Sequence, residues 1–323
     1  PVFFIKMRGH EGVLPYSSLA IAFRHGASVE SIKELGLVHL SEHLVFRRTD
    51  GKKLYARDAV RQGGRVNAYT SPDAVLFVAS FPDDTAVKGI KDYSSMVASP
   101  TIPKGIAQEK SIVLNEMITE CDDDCGTSET FLSGLFKGAR AEHSIIGFED
   151  MVKSYTEKDV ERINDRYLNT KDMAIFMVSS LDEGLFLPTF EDLFGARTLK
   201  AKPYDWEPGK GYSPMQMTIK KETNSSGVYI GWPTTGYLNI KQHVMARLLE
   251  IILGGSETGL LYKLLRHAKG FVYGVDVSVI SYVSYGALII TLELNSGSED
   301  EALKLLHSCI NSLCKGELKE SDL

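Results

Sequence analysis

The chain has no excess of positive charge: 36 lysines and arginines stand against 42 aspartates and glutamates, a formal net charge of −6 over 323 residues. No global basic field attracts nucleic acid or anionic lipid, so neither is expected as a partner. Long hydrophobic runs are also missing. The most apolar stretches, 272–283 and 287–294, are interrupted by polar residues such as Tyr273, Asp276 and Ser278 and read as strands, so no membrane span is expected. Cysteine is sparse. Cys121, Cys125, Cys309 and Cys314 make neither a disulfide framework nor a zinc-ribbon spacing, so free thiols in a reducing compartment such as the cytoplasm or mitochondrial matrix are expected. The first residue is Pro1 rather than Met, as expected of a trimmed or processed chain whose targeting information is missing.

Apolar residues, 43% of the composition, suffice for a sizeable core, and the length calls for two domains. A strand is expected at Leu19 to Phe23, ending in the turn at His25-Gly26, with a helix from about Gly36 to Phe46. Two strands, 65–70 and 74–80, are joined by Ser71-Pro72-Asp73. Helical patterns follow at 84–98 and from Pro103 through the Glu-rich stretch 109–120, with a strand at 173–179. Residues 196–213 lose all periodicity and read as a linker. Beyond it the plan restarts: a strand at 227–232, a turn, a helix at 240–253, strands at 273–280 and 286–294, and an amphipathic helix at 299–314. The expected fold is therefore α+β, with two homologous repeats of mostly antiparallel or mixed sheet packed with helices, at 1–195 and 214–323. The second is little more than half the first in length, as expected of a repeat cut short at its C-terminus.

Histidine is scarce too, with only eight in the chain, yet two of them fall in His39-Leu40-Ser41-Glu42-His43. On a helix, residues four apart project from one face, so His39 and His43 can hold one metal ion. Glu42 falls on the same side. Two imidazoles and an adjacent carboxylate suit metal-assisted hydrolysis, in which the metal acidifies a water and the carboxylate takes its proton. The order is the inverse of the commoner His-Glu-x-x-His zinc peptidase signature. Only the first repeat is so equipped; the helix of the second carries Ala246-Arg247-Leu248-Leu249-Glu250 instead. A catalytic zinc needs a third protein ligand. Glu109 and Glu116, two helical turns apart, and Glu120 one turn further on, are candidates.

Together with Gly63 to Thr70, the Glu pair, the stretch Ile145 to Tyr155 and Arg266 to Tyr273, this string resembles the pitrilysin/insulinase family of zinc metallopeptidases, the inverzincins. The likeness is greatest to the short-chain branch that includes mitochondrial processing peptidase. The resemblance implies a metalloendopeptidase with zinc on His39, His43 and Glu116, Glu109 supporting the site, and Glu120 as the alternative third ligand. It further implies Glu42 as general base, and Asn67, Ala68 and Tyr69 as an edge strand on which an extended peptide adds. Arg266 and Tyr273 match a pair that donates hydrogen bonds to the substrate and the developing oxyanion. Ser41, usually a bulkier apolar or aromatic residue, and the doublet Arg47-Arg48, usually a single basic residue, depart from the pattern and are expected to stand apart from the chemistry. Family enzymes enclose the substrate between two halves of two domains each, which implies a dimer, with itself or with a related chain. Some relatives keep the fold as non-catalytic, structural or substrate-holding subunits, the alternative reading.

Overall fold

Two sheets carry the fold. The computed structural model describes residues 1–8, 15–48, 55–99, 105–124, 126–168, 170–195, 216, 218, 225–254, 257–267 and 269–317. The chain divides into two compact units, Pro1–Gly126 with His143–Trp206, and Thr127–Glu142 with Glu207–Leu323. The expected linker, 196–213, lies outside the described residues. Thr127–Glu142 clusters with the second unit, although it sits in sequence within the stretch 1–195.

The elements along the first stretch are β1 (Val2–Lys6), β2 (Tyr16–Arg24), α1 (Leu37–Val45), α2 (Tyr55–Arg61), β3 (Arg65–Thr70), β4 (Ala74–Pro82), α3 (Asp83–Ala98) and α4 (Ile106–Asp124). Then come α5 (Thr127–Leu135), which belongs to the second unit, α6 (Glu149–Ser154), α7 (Glu157–Tyr167), β5 (Met173–Ser179) and α8 (Leu187–Phe194). The strands order as β1-β5-β2-β4-β3, with β1 parallel to β5 and the other neighbours antiparallel. Alternation decides the faces: Leu19, Ile21 and Phe23 of β2 and Val75, Phe77, Ala79 and Phe81 of β4 are buried. Against that face pack Leu37, Leu40 and Leu44 of α1, Ile90 and Tyr93 of α3, and Val160 and Ile163 of α7. Among the described residues β3 pairs with β4 alone, so it is an edge strand.

The second unit continues with β6 (Ser225–Thr235), α9 (Ile240–Gly254), a π-helical turn (Tyr262–His267), β7 (Val272–Ser281), β8 (Tyr285–Asn295) and α10 (Glu299–Cys314). Its sheet runs β6-β8-β7, all antiparallel. Leu253, Leu265, Ile290, Leu292 and Leu306 form one buried cluster, and Phe136 of the Thr127–Glu142 segment joins Tyr285, Ala287 and Ile289 in another.

The order β2-α1-α2-β3-β4-α3 recurs as β6-α9-π-helical turn-β7-β8-α10, and β2-β4-β3 matches β6-β8-β7 in the sheets. The fold is thus α+β with an internal repeat. The repeat places α9 where the first unit has α1.

Candidate metal centre

The helix α1 begins at a tight backbone crossing. Gly36 has φ +86°, and a Cβ there would lie 2.1 Å from the Ile146 carbonyl oxygen; Gly147, φ +87°, would put its own 2.4 Å from that of Leu35. The Tyr155 hydroxyl donates to the Leu35 carbonyl at 2.8 Å. Buried Glu30 accepts from the Val38 N–H at 2.7 Å, satisfying one of the free donors of the helix N-terminus. Residues 145–155 therefore brace the start of the helix that carries the two histidines.

His39 and His43, one turn apart, stand with ring centroids 4.7 Å from each other. From α4, Glu116 Oε2 approaches His43 Nε2 to 3.4 Å and His39 Nε2 to 4.0 Å. One donor atom from each of these three side chains falls within 4.8 Å of the others. Two turns before Glu116 on α4, Glu109 is buried, with Oε2 3.5 Å from His43 Nδ1. Its other oxygen accepts from Arg47 Nε. The expectation that Arg47 stands apart from the chemistry is therefore corrected: it anchors the carboxylate behind His43. Arg48 donates to the Met96 and Val97 carbonyls at the end of α3. Ser41 binds α1 to α7, its hydroxyl bonded to Asn164 and 3.0 Å from the Tyr167 hydroxyl. The Glu120 side chain lies outside the described residues.

Glu42 is only 7% exposed, and its Oε2 accepts a hydrogen bond of 2.7 Å from Thr70 Oγ1. Burial holds its carboxyl above the ordinary value, and the Thr70 bond and nearby His43 oppose that push. Burial, and next the neighbouring His43, hold the His39 imidazole down at about 3, so it is neutral. Among the described residues His39 Nδ1, which is buried, has no hydrogen-bond partner. Two imidazoles and a carboxylate are a donor set that zinc takes at catalytic sites with one position left open, so the residues fit the ion. Beside His39 lies a cavity of about 360 Å³, lined also by Ile112, Asn115, Glu116, Thr119 and Ile146.

The other expected residues sit on two elements. On β3, Asn67 and Tyr69 are exposed and Ala68 is buried, and the Tyr93 hydroxyl donates to the Asn67 carbonyl at 2.9 Å. Arg266, in the π-helical turn, has its guanidinium 5.5 Å from the centre of the Tyr262 ring. Tyr273 is exposed on β7. These last two belong to the second unit, whereas all the histidine and glutamate candidates belong to the first.

Two family models match. The one described as "Insulinase (Peptidase family M16)" covers residues 11–146, and "Peptidase M16 inactive domain" covers 154–323, more than half of the chain. The chain belongs to peptidase family M16, the pitrilysin/insulinase family. The second match agrees with α9, which carries no His-x-x-Glu-His.

This M16 chain is similar to an "Uncharacterized zinc protease" of Rickettsia felis, 24% identical over 284 residues, with 86% of this chain and 68% of the relative covered. It is 25% identical to the "Uncharacterized zinc protease YmxG" of Bacillus subtilis over 272 residues, covering 82% of this chain and 65% of the other. The chain thus spans about two thirds of the length of these relatives. In fold it is similar to a protease from Helicobacter pylori, with a TM-score of 0.87 at 18% identity, covering 99% of this chain and 79% of that one. Among the described residues no helix is long and apolar enough to cross a membrane.

Proposed function

We propose that this chain is a zinc-dependent metalloendopeptidase that hydrolyses short or unfolded peptides at its His-x-x-Glu-His helix. The observation that carries the reading is the convergence of His39, His43 and Glu116 donor atoms within 4.8 Å, with Glu42 on the same helix as the histidines. These three residues would hold one zinc ion. Bound there, zinc supplies Lewis-acid polarisation of the scissile carbonyl and makes water more acidic.

Glu42 takes a proton from the attacking water and returns it to the leaving amine. Glu109 keeps the Nε2 of His43 directed at Glu116. Asn67, Ala68 and Tyr69 accept the peptide as an added strand on the open edge of β3, where main-chain hydrogen bonds make few demands on side chains. Arg266 and Tyr273 donate to the substrate and to the developing oxyanion. The family's enclosure of substrate between two halves supports a dimer, with itself or with a related chain, and sedimentation of a fully active monomer would refute this.

The test is Glu42→Gln. Cleavage of an unstructured peptide library should vanish while metal analysis still finds about one zinc per chain; persistent cleavage would remove Glu42 from its role. A wild-type chain that binds zinc and peptide but never cleaves would favour a structural or substrate-holding subunit. Retention of the whole His39, Glu42, His43 and Glu116 set weighs against that role.

A further inference from the structure

Strand β3 does two things at once. Its side chains alternate, so Asn67 and Tyr69 turn to one face of the sheet and Ala68 and Thr70 to the face on which α1 packs. From that inner face Thr70 Oγ1 donates to Glu42 Oε2 at 2.7 Å. Glu42 itself is buried on α1, between the two histidines' turn and β3, where a carboxylate oxygen without a donor is costly. The Tyr93 hydroxyl, which donates to the Asn67 carbonyl, fixes the same strand from α3.

We propose that Thr70 is a positioning residue, whose hydroxyl aims the Glu42 carboxylate from the strand that receives the peptide. The inference rests on the metallopeptidase reading above and deepens it. The strand on which the substrate is laid and the base that serves the attack on it are then joined by a single O–H···O bond. The other oxygen of Glu42, Oε1, is the one that takes a proton from the water. One strand therefore sets the distance between bound peptide and base, an orientation effect of the kind that proximity arguments require. The relation of threonine to its neighbours explains the choice of side chain: a β-branched residue suits a strand and holds χ1 stiffly, so the hydroxyl is presented in one direction.

The experiment compares Thr70→Val, Thr70→Ser and Thr70→Ala with wild type and Glu42→Gln, all as the full chain. The readouts are kcat and KM on one unstructured peptide, zinc content, thermal unfolding, and the carbon-13 signal of the Glu42 side-chain carboxylate. That signal is identified by its loss in Glu42→Gln. Thr70→Val should lower kcat by roughly ten- to a hundredfold, the loss expected for a hydrogen bond to a charged group, with KM changed less than about twofold. Zinc content should be kept, the carboxylate signal should move, and Thr70→Ser, which keeps the hydroxyl without the β-methyl, should restore most of both signal and rate. Should Thr70→Val fold poorly, Thr70→Ala is expected to show the same kcat loss and the same shifted signal.

An unshifted carboxylate signal, an unchanged kcat, or a Thr70→Ser as slow as Thr70→Val would overturn the proposal. Loss of zinc together with rate would overturn it too, because Thr70 would then be holding the metal site and not the base. If Glu42→Gln itself cleaves normally, Glu42 is not the base and the reading on which the proposal rests fails at that residue; if Glu42→Gln is inactive and Thr70→Val is not, only the role of Thr70 fails.

Discussion

Glu109 Oε2 lies 3.5 Å from His43 Nδ1. The far oxygen of that carboxylate is held by Arg47, from just beyond the end of α1, so the imidazole is backed by a fixed acceptor that is itself fixed. A histidine held through Nδ1 can present only Nε2 to a metal. That nitrogen is the one 3.4 Å from Glu116.

Glu109→Gln and Arg47→Ala should each weaken zinc binding by roughly ten- to a hundredfold, the usual cost of losing a partner behind a ligand. Competition with a chelator measures this directly. Both variants should bind a full complement at saturating zinc, because neither residue is itself expected to be a ligand. An affinity within twofold of wild type in both would leave the Arg47–Glu109 pair a structural contact only.

Much of this was legible in the sequence, and the rest was hidden for identifiable reasons. Alternating burial marks β2 and β4, β8 reads as a near-continuous apolar run, and the Glu299–Cys314 helix is bounded by its amphipathic pattern. The metal string was legible because its chemistry is written in four-residue spacing. By contrast β1 is a short apolar run with no alternation, and its parallel pairing with β5, more than 160 positions away, leaves no local mark. Arg47 looked idle for the same reason: its partner Glu109 lies 62 positions on, and nothing in a helix pattern links them. Thr70 could have been found by counting. It follows Ala68 by two on a strand and so shares the face turned toward α1.

Gly36→Ala is expected to destabilise the first unit by at least about 2 kcal/mol and to lower zinc affinity with it. The added methyl meets the Ile146 carbonyl oxygen at 2.1 Å, and φ +86° disfavours any side chain. Relief requires separation of 145–147 from the start of α1, which displaces His39. Chemical denaturation and a zinc titration on the same variant check both halves of the expectation. Gly270→Ala is a control, because its Cβ meets nothing within 4 Å, although its φ of +65° still costs some strain.

Glu34 predicts an acid-labile contribution to stability. Burial alone would raise its carboxyl, but the Arg166 hydrogen bonds and those from Ser31 outweigh burial and hold it at about 2 against an ordinary 4.5. A carboxylate with a depressed folded-state pKa adds stability that is full above its unfolded value and is lost as pH falls through the folded one. The contribution, roughly 2–3 kcal/mol at neutral pH, should therefore decline between about pH 4.5 and 2. Unfolding of wild type and Glu34→Gln, followed over that range, should show a gap that closes toward pH 2. A gap independent of pH would assign the effect to lost packing and not to charge.

Arg266 and Tyr273 offer the sharpest separation between binding and chemistry. Both are in the second unit and neither belongs to the cluster of His39, His43 and Glu116, so their substitution should leave zinc content untouched. A donor that meets charge only as it develops lowers the barrier without tightening substrate, and its loss appears in kcat. Tyr273→Phe removes one hydroxyl from an exposed side chain and should cost little stability. The expected result is a fall in kcat of about a hundredfold with KM within a few-fold of wild type. Arg266→Lys keeps the charge but not the planar fork, so it should recover less than half of what Arg266→Ala loses on a logarithmic scale. A Tyr273→Phe variant that raises KM at constant kcat would move this residue from the oxyanion to substrate binding, and an unaffected enzyme would return it to the ordinary surface of β7.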